Sequence, residues 1–92
     1  METDSPEAKS LLIFPTQFPI KVMGRREEGY AQAILAVVMR HAPDFDPATM
    51  EMRPSKTGKY LSLTVTINAR SREQLDALYK DLSGHQMVMM VL

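Results

Sequence analysis

Ninety-two residues, 45% apolar and 24% charged, suit one small globular domain with a single core. The absence of cysteine excludes disulfides, thiolate nucleophiles, iron–sulfur clusters and cysteine-type zinc sites. Eleven basic side chains balance eleven acidic ones, which argues against a general nucleic-acid binder but leaves local patches open, and no apolar run approaches the ~20 residues of a membrane span.

The chain opens on "METDSPEAKS", polar and without period. It predicts a disordered tail over residues 1–11, with no signal-peptide character and hence a cytoplasmic protein. A single domain is expected over 12–92. "LLIFPTQFP", with prolines at 15 and 19, reads as an extended lead-in that lays Leu12 and Phe14 over a core edge. "FPIKVM" then alternates: Phe18, Ile20 and Val22 on one side, Lys21 and Met23 on the other, a short strand ended by Gly24.

From Arg26 to His41 the period becomes helical, with Tyr30, Ala33, Ile34, Val37, Val38 and His41 on one face. Gly29 in the first turn costs ~1 kcal/mol relative to alanine. Glu27 and Glu28 suit the helix N-terminus, and Arg40 and His41 its C-terminus. Pro43 stops the helix and "PDFDP" is a loop. "ATMEMRP" alternates Met50 and Met52 against Glu51 and Arg53, and "PSKTGK" signals a hairpin. "YLSLTVTINA" is the clearest strand, with Leu61, Leu63, Val65 and Ile67 facing in and Ser62, Thr64, Thr66 and Asn68 facing out.

"SREQLDALYKDLSG" predicts a second helix. Ser71 and Gln74 form a capping box, Leu75, Leu78, Tyr79 and Leu82 an apolar stripe, and Gly84 the C-terminal stop. "QMVMMVL" closes the chain as a strand apolar on both faces. Its outward set, Val88, Met90 and Leu92 or the alternate one, leaves an apolar row on an edge strand. A homodimer or another protein partner would cover that row; so would the "LLIFP" lead-in. The eight methionines serve either as core filling or as an adaptable contact surface.

The order β-α-β-β-α-β predicts an α+β fold, a ferredoxin-like two-layer sandwich with antiparallel sheet order 4-1-3-2 and both helices on one face. Following strand directions, the turn after the first strand, the hairpin and the turn before the last strand meet on one edge. That edge gathers Arg25, Arg26, Arg53, Lys56, Lys59 and His85; the opposite edge holds His41, Asp44, Asp46, Arg70 and Arg72. Gly24, Ser55 and Tyr60 complete a candidate site for a small anionic ligand, with Gly24 letting the backbone approach it and the first helix offering free N–H groups. Glu27 and Glu28, on that helix end, oppose it.

Other chemistries find less in the residues. "HAPDFDP" matches no metal-ligand spacing, and no serine sits in a nucleophile elbow. Arg25 or Arg26 with Asn68 supplies the residue types of an acylphosphatase-like hydrolase, but at opposite strand ends. The open sheet face offers only Tyr60 for stacking, so a nucleic-acid platform is not expected, although phosphates could touch the basic edge. No cofactor or metal site is expected.

The segments "FPTQFPIKVMG", "RHAP", "RPSKTGKY" and the ending "MVL" resemble the YbeD-like family of small bacterial proteins, over roughly Leu12 to Leu92. The resemblance implies a ferredoxin-like fold similar to ACT regulatory domains, which take small ligands at the turn after the first strand, often at a subunit interface. By position that points to Gly24 and its neighbours. Arg25, Arg26, Glu27, Glu28 and Gly29 depart from the family's usual residues there. Gene neighbourhood in the family suggests a link with lipoate metabolism. The reading is a non-enzymatic regulatory or adaptor module binding a small anionic metabolite or a protein partner. The alternatives are an interaction module using the last strand and, remotely, the hydrolase.

Overall fold

The computed structural model describes residues 12–92; the predicted tail over 1–11 lies outside the described residues. Four strands and two α-helices follow in the order β1 (Thr16–Arg25), α1 (Tyr30–His41), β2 (Glu51–Pro54), β3 (Tyr60–Ala69), α2 (Arg72–Ser83), β4 (Val88–Val91). A single 3-10 turn, Pro47–Thr49, lies in the loop before β2, where no helix was anticipated. The sheet is antiparallel in the order β2-β3-β1-β4, the predicted order read from its other end.

Period-two patterning builds the inner face. Ile20 and Val22 of β1 and Leu63, Val65, Ile67 and Ala69 of β3 are fully buried. Against them lie Tyr30, Ile34, Val37 and Val38 of α1 and Leu75, Leu78 and Leu82 of α2. Both helices therefore cover one face. Phe45, in the loop after α1, joins the same core. No methionine belongs to the buried core of the described residues. Met39, Met50 and Met87 pack against its margin, while Met52, Met89 and Met90 are exposed. The lead-in behaves as a flap: Phe14 packs on the core margin, and Leu12 lies beside Phe18, Leu75 and Tyr79.

Three local expectations are corrected. Gly24 does not end β1; it lies inside the strand, in register with Leu61 of β3 and Val88 of β4, and pairing continues to Arg25 opposite Tyr60. The helix starts at Tyr30, not Arg26, so Glu27 and Glu28 precede it and its first turn holds no acid. Gly29 is the N-cap at φ 86°, a left-handed conformation in which glycine is favoured, so the expected penalty changes sign.

The capping box at α2 is also rewired. Ser71 Oγ accepts from the Gln74 N–H at 3.1 Å as anticipated. The Gln74 side chain, however, accepts from the Arg70 N–H at 2.6 Å and donates to the His41 carbonyl at 2.9 Å. It thereby ties the start of α2 to the end of α1.

Candidate functional site: a basic cleft at the β1–α1 turn

The extension of β1 past Gly24 is what assembles the site. Strand pairing sets Arg25 opposite Tyr60, and one residue on, the Arg26 N–H donates to the Lys59 carbonyl at 2.8 Å. The turn after β1 and the β2–β3 hairpin are thus joined by backbone. Ser55 organises the hairpin: its N–H donates to the Tyr60 carbonyl at 2.9 Å, and its Oγ accepts from the Tyr60 N–H at 3.1 Å. Gly58, at φ 79°, makes the tight turn, and its N–H donates to the Ser55 carbonyl at 3.0 Å.

Between these two segments opens a cleft of about 540 Å³ lined by Arg25, Arg26, Glu27, Lys59 and Tyr60. Tyr60 also lines a neighbouring cleft of about 180 Å³, where Met23, Arg53, Pro54 and Ser55 contribute. The sequence-predicted residues Arg25, Arg26, Lys59 and Tyr60 therefore meet in one place, with Arg53 and Ser55 next door. Lys56 is exposed at the hairpin and lines neither cleft. Glu27, expected only as an opponent at the helix end, is part of the cleft wall.

Gly24 stands behind this surface. It is buried, and an added Cβ would collide with the Met87 carbonyl oxygen and lie 2.7 Å from a Tyr30 ring carbon. Its missing side chain makes room for the Tyr30 ring and the approach to β4, not for a ligand. Tyr30 Oη donates to the Val22 carbonyl at 3.2 Å, and burial pushes its phenol up to about 12. No spacing rule in the sequence announces this Gly24–Tyr30 contact, because it joins a strand to a helix side chain. His85, expected at the cleft edge, instead accepts from the Met87 N–H through Nδ1 at 3.1 Å.

Charge is distributed unevenly. Arg70 pairs with Asp44 at 3.2 Å, and Arg72 with Asp76 at 3.8 Å. Asp81 receives both Arg40 at 3.1 Å and His41 at 2.8 Å. Among the described residues no ion pair involves Arg25, Arg26, Arg53, Lys56 or Lys59. The Asp44 carboxyl is held below its usual range, chiefly by a backbone hydrogen bond, then by Asn68 and Arg70. Asp46 caps the 3-10 turn, its Oδ1 accepting from Ala48 N–H at 3.0 Å. The described residues contain no cluster of three or more His, Asp or Glu suited to a metal. Asn68 sits opposite Gln17, at the far end of β3 from the Arg25–Tyr60 pair, so the hydrolase pair is not brought together.

The last strand breaks alternation through a bulge. Met90 faces Met23 and Val88 faces Gly24, leaving Met89 as the extra residue. Val88 and Val91 consequently pack on the core margin, while Met89, Met90 and Leu92 are exposed. Of the predicted outward row, Met90 and Leu92 lie on the surface and Val88 turns inward. No helix of the described residues is long and apolar enough to cross a membrane.

Four antiparallel strands in the order β2-β3-β1-β4 with both helices on one face form a ferredoxin-like sandwich, the fold of ACT domains. The solution structure of protein HP0495 from H. pylori superposes with a TM-score of 0.74 at 16% identity, over 100% of this chain and 97% of that one. The ACT domain from the GTP pyrophosphokinase of Chlorobium tepidum gives 0.65 at 18% identity, over 84% and 83%. At these identities the likeness concerns the fold. The chain belongs to the DUF493 family, described as protein of unknown function, which it matches over residues 9–92. Among curated relatives, a UPF0250 protein of Leptothrix cholodnii is 53% identical over 97% of this chain and 98% of that protein. A UPF0250 protein of Bordetella pertussis is 55% identical over 95% and 96%. The YbeD-like resemblance and the fold expected from it are thereby established.

Proposed function

We propose that this chain is a non-enzymatic regulatory module of the ACT type that binds a small anionic metabolite in the cleft between the β1–α1 turn and the β2–β3 hairpin. One observation carries the reading: Arg25, Arg26 and Lys59 converge on a single cleft with no acidic ion-pair partner among the described residues. Three cations against one carboxylate leave a local positive surplus in a protein of zero net charge, and such a surplus raises the local concentration of anions. Glu28 precedes the helix and lies outside the cleft lining, while Glu27 stands in the cleft wall and offsets one of its three cations.

Titration with amino acids, lipoyl compounds and nucleotides, followed by amide chemical shifts, tests the proposal. A ligand of this site shifts residues 24–28 together with 53–60. If no compound moves either segment, small-molecule binding is excluded.

A second reading, pairing with a protein partner or another copy through β4, is favoured by the contrast between the sheet's two edges. β2 carries Glu51, Arg53 and Pro54, which discourage strand addition, whereas β4 is Val88–Val91 with exposed Met89 and Met90 and no charge.

A further inference from the structure

We infer that the ligand of the cleft is a phosphate monoester attached to a flat ring, a mononucleotide or its chemical equivalent. The inference rests on the anion-binding reading above and narrows it.

Charge comes first. The cleft sets three cations, Arg25, Arg26 and Lys59, against the one carboxylate of Glu27. A free amino acid brings one carboxylate and one ammonium group, no net charge, so it leaves the surplus standing. A phosphate monoester carries about −1.5 to −2 charges at neutral pH and presents three acceptor oxygens. That matches the surplus, and guanidinium forks suit such oxygens better than they suit a single point charge. Arg26 and Lys59 are held beside each other by their 2.8 Å backbone hydrogen bond, so both side chains leave the chain at one place.

The ring follows from Tyr60. This half-exposed tyrosine lines both adjoining clefts, so open space borders it on more than one side. Its backbone is fixed through Ser55 at both N–H and carbonyl. Met23 and Pro54 give the smaller cleft an apolar wall next to Tyr60, on the side away from Arg25, Arg26 and Lys59, with Arg53 at its margin. Stacking of a flat heterocycle on a tyrosine is sequence-tolerant and strong for its size. The two clefts, about 540 and 180 Å³, provide one phosphate end and one ring end. The open face of β3 continues from Tyr60 with Ser62, Thr64 and Thr66, none aromatic, so it offers a stacking place for one base and not for a strand of them.

The test is a chemical-shift titration of the whole chain with AMP, ribose 5-phosphate, adenosine, glutamate, lipoate and a single-stranded tetranucleotide. AMP is expected to bind tightest, with shifts at Arg25, Arg26, Lys59 and Tyr60; ribose 5-phosphate binds more weakly and adenosine more weakly still. Lys59→Gln should weaken AMP and ribose 5-phosphate alike, by about tenfold. Tyr60→Leu should weaken AMP and spare ribose 5-phosphate. Retained amide dispersion in both variants shows that the fold survives. Glutamate or lipoate binding at these residues more tightly than AMP overturns the phosphate class and leaves anion binding intact. A tetranucleotide that binds tighter than AMP and shifts Ser62 to Thr66 overturns the mononucleotide. Equal losses for AMP and ribose 5-phosphate in Tyr60→Leu overturn the ring contact. If nothing shifts these residues, both the inference and the reading beneath it fall.

Discussion

Two glycines close to each other in sequence do opposite jobs. Gly29 is required by its backbone: φ is 86° and nothing lies within 4 Å of the position of an added Cβ. Gly24 is required by its neighbours, the Met87 carbonyl and the Tyr30 ring. Gly29→Ala should therefore cost about 1–2 kcal/mol, the price of a left-handed non-glycine residue. Gly24→Ala should cost about 3 kcal/mol, at the upper end of overpacking, because the nearest clash is with backbone. Urea unfolding of the two variants checks the order. Tyr30, the residue Gly24 accommodates, gives a second prediction. Its phenol is pushed from 10.0 to about 12 by burial. Between those values the unfolded chain sheds a proton that the folded chain keeps, so ionisation favours unfolding. The stability from neutral Tyr30 is complete below pH 10 and is lost as pH rises towards about 12. Tyr30→Phe should flatten most of this alkaline decline in a pH series of unfolding midpoints. A residual slope is expected from Tyr79, whose phenol burial also raises.

At the scale of elements, the helices are joined by polar contacts as well as by leucines. Gln74 holds the His41 carbonyl, and Asp81 of α2 receives His41 and Arg40 of α1. The His41 hydrogen bond, then the charges of Arg40, His41 and His85, hold the Asp81 carboxyl below its usual range against a contrary effect of burial. A lowered folded-state value gives stability that is present above the ordinary carboxylate range and is lost as pH falls through the lowered one. Asp81→Asn should accordingly be less stable than the parent at neutral pH, with the gap closing on acidification; a gap independent of pH would show that the contact acts through shape alone. Existence and type of all six major elements were legible from periodicity, since a strand's alternation and a helix's apolar stripe are written locally. Their ends were less so. Glu27 and Glu28 look like a helix start, but Gly29 in a left-handed cap sets the boundary, and β3 pairing draws Arg25 into β1.

For the whole molecule, the bulge at Met89 decides what β4 displays. It turns Val88 inward and leaves Met89, Met90 and Leu92 on the surface beside an edge without charge or proline. If that edge pairs with another copy, sedimentation should give a dimer that Met90→Lys returns to monomer; a parent chain that sediments as monomer at every concentration removes the edge-pairing dimer. The candidate cleft also belongs to this scale. Strand direction was enough to bring Arg25, Arg26 and Lys59 to one edge, because antiparallel order follows from the element order alone. That these cations form no ion pair among the described residues, while Arg40 and Arg70 find acids from other segments, depends on side chains distant in sequence meeting in space.

The amino-acid sequence by itself determined the βαββαβ order, the inner faces of β1 and β3, the Ser71 cap, and the edge on which the basic residues gather. These follow from period, punctuation and topology, each a short-range property of the chain. The tertiary structure alone decided the purpose of Gly24, the true start of α1, the inward turn of Val88 and the entry of Glu27 into the cleft wall. The start of α1 follows from the left-handed backbone of Gly29; the others depend on contacts between segments far apart in the chain, where packing and strand pairing override the local pattern.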